Sequence, residues 1–110
     1  LLGTKYLMRS DTYSGRMRER FGLDVLVPGD DDMETVDRII FDELCRGIIR
    51  DESRSTVLRI MDGLASRGAQ GIVLGCTELP LLIHREHTAL PVMDTTRLHA
   101  EAAVERALAS

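Results

Sequence analysis

The chain has 110 residues, 44% hydrophobic and 29% charged, the composition of one globular domain or a piece of one. Fourteen Lys and Arg stand against eighteen Asp and Glu, and the cations are interspersed with acids, so a nucleic-acid-binding stripe is not expected. No apolar run approaches the roughly 20 residues of a membrane span. No secretory leader is evident, and two distant cysteines fit reduced thiols in a cytoplasm.

Leu1-Leu2 reads as the stub of a first strand, with Gly3-Thr4 as its exit turn. Leu1 in place of an initiating methionine suggests a fragment, or one part of a larger protein. Ser10 or Asp11 caps a first helix. Tyr13, Met17 and Phe21 recur at i, i+4 and i+8, so they form an apolar face read as core packing, and Gly22 is the stop. Asp24-Val25-Leu26-Val27 is expected as strand two, ended by Pro28-Gly29. Asp30, Asp31 and Asp32 lack the spaced ligands of a calcium loop and suit the positive start of a helix.

Met33, Val36, Ile40 and Leu44 mark the buried face of that helix, which Cys45-Arg46-Gly47 ends; Cys45 is assigned to packing. Asp51 or Ser53 caps the next helix, whose apolar face is Val57, Ile60, Met61, Leu64 and Ala65, closed by Arg67-Gly68. Ile72-Val73-Leu74, bounded by glycines, has the continuous apolar character of a parallel strand covered on both faces. Gly75 permits a sharp turn or a close approach. Cys76 then falls at the carboxyl edge of a strand, where open α/β sheets place ligands. Thr77 and Glu78 suit a helix start, and a thiol beside a helix N-terminus is expected to have a lowered pKa. Leu79 to Ile83 is a short apolar segment. His84 and His87, at i, i+3, have no evident third ligand, and no metal is expected. Leu90 to Met93 is a last strand leading into Asp94-Thr95-Thr96, with a final helix behind it that contains His99.

Alternating strands and helices predict an α/β fold, a three-layer parallel sheet with helices on both faces. If the strands are parallel, Gly3-Thr4, Gly75-Cys76-Thr77 and Asp94-Thr95-Thr96 converge on one rim. From the bare residues that convergence is the functional signal.

The run Ile72-Val73-Leu74-Gly75-Cys76-Thr77-Glu78-Leu79-Pro80-Leu81-Leu82 resembles the second cysteine motif of the aspartate/glutamate racemases, nearest the aspartate or broad-specificity branch. Leu2-Gly3-Thr4-Lys5-Tyr6, Asp42 to Ile49, Pro91 to Thr96 and His99 to Val104 resemble the same family in order. The resemblance implies a cofactor-independent racemase of two pseudo-symmetric α/β lobes with the site between them. Each lobe would supply one thiol to opposite faces of the substrate α-carbon. Residues 1–110 would be the C-terminal lobe, with the first lobe absent, so that this chain alone is inactive. By position Cys76 matches the second-lobe acid/base, and Thr77, Thr4, Arg46 and Glu78 match substrate-binding positions. Glu78 stands where glutamate racemases carry histidine, and Leu7 where relatives often carry a second threonine. Cys45 lies in a helix of this same lobe and cannot supply the opposing thiol. The partners implied are a small amino-acid substrate such as aspartate, the missing lobe and a homodimer mate, with no nucleic acid or membrane. The alternatives are another superfamily enzyme (hydantoin racemase, maleate isomerase or arylmalonate decarboxylase) or a non-catalytic α/β binding module whose thiol is structural.

Overall fold

The computed structural model describes residues 1–94; the expected last helix, with Thr95, Thr96 and His99, lies outside them. The fold is helix-rich α/β around a parallel sheet. Its order is α1 (Lys5–Met8), α2 (Asp11–Phe21), α3 (Asp30–Asp42), a 3₁₀ turn (Leu44–Arg46), α4 (Asp51–Ser66), β1 (Ile72–Leu74), α5 (Leu79–Leu82), a second 3₁₀ turn (Arg85–His87) and β2 (Val92–Asp94).

β1 is the centre of the sheet. It pairs in parallel with β2, Ile72 against Val92 and Leu74 against Asp94. On its other side Leu2 bridges Leu74, also in parallel, through Leu2 N–H to Val73 O at 2.9 Å and Gly75 N–H to Leu2 O at 2.8 Å. Leu2, Leu74 and Asp94 therefore form one row across the sheet, and the chain leaves it at Gly3 and Gly75 on the same edge. Ile72 and Leu74 are buried and Val73 is half-buried, which accounts for the continuous apolar run.

The core forms where α3 and α4 turn their stripes inward. Met33, Val36, Ile39 and Ile40 from α3 meet Val57, Ile60, Met61 and Leu64 from α4, with Leu2, Ile72, Leu74, Leu79, Leu82 and Ile83 completing the cluster. Asp30, Asp31 and Asp32 occupy the first turn of α3, where carboxylates oppose the positive end of the helix dipole, although the N-cap itself is Gly29. Gly22 and Gly47 end their helices in left-handed backbone, φ 65° and 76°, a conformation that Gly adopts without a Cβ penalty.

Several expectations are corrected. Residues 24–27 form no strand: Leu26 O accepts from the Leu1 nitrogen at 2.8 Å and Val27 O from Arg67 at 2.7 Å, so these carbonyls serve single tethers rather than a ladder. Tyr13 and Phe21 are not core: no residue of α2 is buried, and Phe21 is 66% exposed. The helix is crowded with Arg16, Arg18, Glu19 and Arg20, and only Tyr13 and Met17 lean toward a cavity of about 590 Å³ shared with Leu1 and Leu64. Cys45 is exposed, so packing does not explain it. The helix there ends at Asp42, and a 3₁₀ turn carries Cys45 out of the core. The N-cap of α4 is Arg50, without a side-chain capping bond. Ser53 is instead buried and donates to Glu43 Oε1 at 2.5 Å. α1 has no signature in the sequence, because four residues are too few to show a period. Thr4 makes it, accepting Leu7 N–H on Oγ1 at 3.4 Å as the N-cap.

Candidate active site at the end of the central strand

β1 delivers Cys76 one residue beyond Gly75, at the carboxyl edge of the sheet. Gly75 is needed for space rather than for an unusual φ, since its φ is not positive. A Cβ there would run into Leu7 Cδ2 and stand 3.2 Å from Leu1 Cδ1. A Cβ on Gly3, the neighbouring strand end, would stand 2.9 Å from that same Leu7 carbon. The two glycines thus make a notch that Leu7 fills, and Thr4 sets Leu7 in place by capping α1. This packing role of Leu7 is not apparent from the sequence. Its signal is the pair of glycines at adjacent strand ends, visible only once the strands are known to be neighbours.

Cys76, Thr77 and Glu78 form a local cluster. Cys76 Sγ donates to Glu78 Oε2 at 3.2 Å, Thr77 Oγ1 donates to the same oxygen at 2.6 Å, and Glu78 N–H donates back to Cys76 Sγ at 3.4 Å. Burial pushes the Cys76 thiol above its ordinary value. The backbone N–H of Glu78 opposes this, the Glu78 carboxylate reinforces it through its hydrogen bond and its charge, and Leu79 N–H pulls it down again. Glu78 moves the other way: the hydrogen bonds from Thr77 and then Cys76 hold its carboxyl below the usual value. The expected lowering of the thiol is thus overturned. The helix behind it is a single turn of four residues whose N-cap, Glu78, brings a negative charge to the sulfur.

The remaining site candidates are distributed around this cluster. Thr4 lies at the adjacent strand end, one residue after Gly3, with its hydroxyl engaged in capping. Arg46 is exposed on the 3₁₀ turn that packs against α5. Among the described residues, no hydrogen bond or ion pair of its side chain reaches Cys76, Thr77 or Glu78. A cavity of about 290 Å³ opens at the same edge of the sheet, between Leu74, Pro80, Ile83, His84, Glu86 and Asp94. The larger cavity described above opens at the opposite end of β1, beside Gly71 and Ile72, away from the thiol.

The structure does supply a third group beside the two histidines. Ligand atoms of His84, Glu86 and His87 all lie within 4.8 Å of one another. The bonding nonetheless favours a folded turn over a metal cage. His84 N–H donates to His87 Nδ1 at 2.9 Å, so the neutral His87 ring carries its proton on Nε2, leaving no nitrogen lone pair for a cation. The imidazoles stack with centroids 5.0 Å apart and close the second 3₁₀ turn as reciprocal caps.

A family model for Asp/Glu/hydantoin racemases matches residues 1–103. The chain belongs to this family. Among solved structures, a Yersinia pestis protein assigned as an Asp/Glu racemase is 47% identical, superposes with a TM-score of 0.91 and covers 97% of this chain. An aspartate racemase homologue from Pyrococcus horikoshii is 38% identical, with a TM-score of 0.88 over 96% of this chain. In both cases the match spans 46% of the other protein, so this racemase-family chain corresponds to about half the length of those relatives. No described helix is long and apolar enough to cross a membrane.

Proposed function

We propose that this chain is the second lobe of a PLP-independent, aspartate-type amino-acid racemase, with Cys76 as one of two acid/base groups. The observation that carries the reading is the position of the thiol. It sits at the carboxyl end of the central parallel strand, beside the Gly3-Thr4 strand end, in a chain of the racemase family. Racemisation needs a base on one face of the α-carbon and an acid on the other. A group in the opposing lobe takes the α-proton, the electron pair is held as an enolate-like carbanion, and Cys76 Sγ–H delivers a proton to the opposite face. The C–H bond broken on one side is replaced by the C–H bond made on the other, and the roles exchange for the reverse reaction. Thr77, whose hydroxyl is given to Glu78, is assigned to holding the substrate α-carboxylate through its backbone N–H, with Thr4 at the rim and Arg46 as the cation for a side-chain carboxylate. The chemistry needs no cofactor and suits a small, anionic substrate in a cytoplasm.

The test is made on the two-lobe protein. D- and L-aspartate should interconvert, and in D2O the α-position should gain deuterium by NMR. Cys76→Ala should lower the rate by about 10²–10⁴, the usual worth of a positioned acid/base; Cys45→Ser should not. Turnover of hydantoins, maleate or arylmalonates in place of aspartate would move the protein to another branch. If no substrate exchanges its α-proton, and Cys76→Ala changes nothing, the binding-module reading replaces this one.

A further inference from the structure

By sequence position Glu78 falls among the substrate-binding residues. The geometry points to a different role, and we infer that Glu78 is a positioning residue that stores the site's proton on Cys76, so that this lobe stands ready as the acid. The inference rests on the racemase reading for its meaning but not for its test. Two bonds carry it against a third. Glu78 Oε2 accepts from Cys76 Sγ at 3.2 Å and from Thr77 Oγ1 at 2.6 Å, while Glu78 N–H closes back on the sulfur at 3.4 Å. A substrate carboxylate placed against Glu78 would meet a like charge, whereas the thiol meets an acceptor. The carboxylate is bonded from two sides, which suits its ionised form, and an ionised neighbour 3.2 Å away opposes loss of the thiol proton.

Burial and the Glu78 carboxylate outweigh the two backbone N–H groups at the sulfur. From its own loop come the Glu78 carboxylate and the Glu78 and Leu79 N–H groups. Beside the adjoining Gly75 lie the Leu7 and Leu1 side chains and the Leu2 carbonyl, none of which is ionisable. No described cation pairs with Glu78. At neutral pH the pair therefore holds one proton, and it rests on sulfur. When Cys76 gives that proton to the substrate carbon, the new thiolate lies beside a carboxylate. It is then a rarer but stronger base for the return reaction. The group on the opposing face must begin deprotonated, so the two acid/base groups of the racemase differ in resting state.

The experiment uses Cys45→Ser, which leaves Cys76 as the only thiol of this chain. Iodoacetamide modification is followed by mass spectrometry from pH 6 to 11, with the same protein in urea as the unfolded reference. The native rate should reach half-maximum at higher pH than the urea reference. Adding Glu78→Gln keeps the shape but removes the charge, and should lower the native midpoint. The rate at pH 8 should then rise about tenfold for each pH unit by which the midpoint falls. Glu78→Asp should retain the raised midpoint. The inference is overturned if the native midpoint lies at or below the urea value, a comparison that requires no Glu78 variant to fold. It is also overturned if Glu78→Gln, folded by circular dichroism, leaves the midpoint in place. Neither result touches the racemase reading, which stands or falls on α-proton exchange in the two-lobe protein.

Discussion

Gly75→Ala tests the packing that holds the thiol. The added Cβ would overlap Leu7 Cδ2 and stand 3.2 Å from Leu1 Cδ1 and 3.5 Å from Leu2 O. Carbon pairs rest at about 3.5–4.0 Å, so the Leu7 contact must open by about an ångström or more. Leu7 is half-buried and can swing, but Leu1 and the Leu2 backbone bound the notch on the other side, so relief is partial. Overpacking of this kind costs about 1–3 kcal/mol. Leu7→Ala alone removes a half-buried side chain, a loss on the order of 1 kcal/mol. In the double variant the new methyl enters the space that Leu7 vacates, so the two losses should not add. A cycle of four urea titrations should give a favourable coupling of roughly 1–2 kcal/mol, within the range for residues in contact. Additive losses, or a Gly75→Ala midpoint equal to the parent's, would refute the notch as described. In the two-lobe protein Gly75→Ala should also lower turnover more than substrate affinity, because it displaces the backbone next to Cys76.

Among the described residues, Ser53→Ala leaves the buried Glu43 carboxylate with only Arg38 at 3.5 Å and should cost about 1–3 kcal/mol in denaturant titration. Ser10 Oγ accepts Tyr13 N–H at 3.2 Å as the N-cap of α2, so Ser10→Ala should cost about 1 kcal/mol and reduce helical circular dichroism. The raised Cys76 value sets a pH dependence with a definite sign. Native and unfolded thiols are both protonated below the ordinary value of 9.0, so the contribution is fully present there. Above it the unfolded chain ionises first, and stability falls as pH rises through the native value. Cys76→Ala should flatten the alkaline limb of a pH-stability curve, and an unchanged limb would assign that loss to other groups.

The local physics of this chain is written in its sequence. Glycine at 22 and 47 stops helices because left-handed backbone suits a residue without Cβ, and the apolar periods of α3 and α4 name the core that the fold buries. The glycine-bounded run 72–74 likewise announces a buried parallel strand ending at a thiol. What tertiary structure alone decides is which neighbour each group meets. Val25 is β-branched and suits a strand, yet residues 24–27 are held by single tethers, from the Leu1 nitrogen to Leu26 O and from Arg67 to Val27 O. Phe21 keeps helical spacing but its helix finds no apolar surface wide enough to cover it. The state of Cys76 is the least legible feature. A helix start predicts an acidic thiol, but the short helix contributes little, while burial and the Glu78 carboxylate at 3.2 Å push the other way. Sequence distance gives adjacency along the chain; only folding sets the burial and the direction of a side chain, and those two quantities govern where a proton rests.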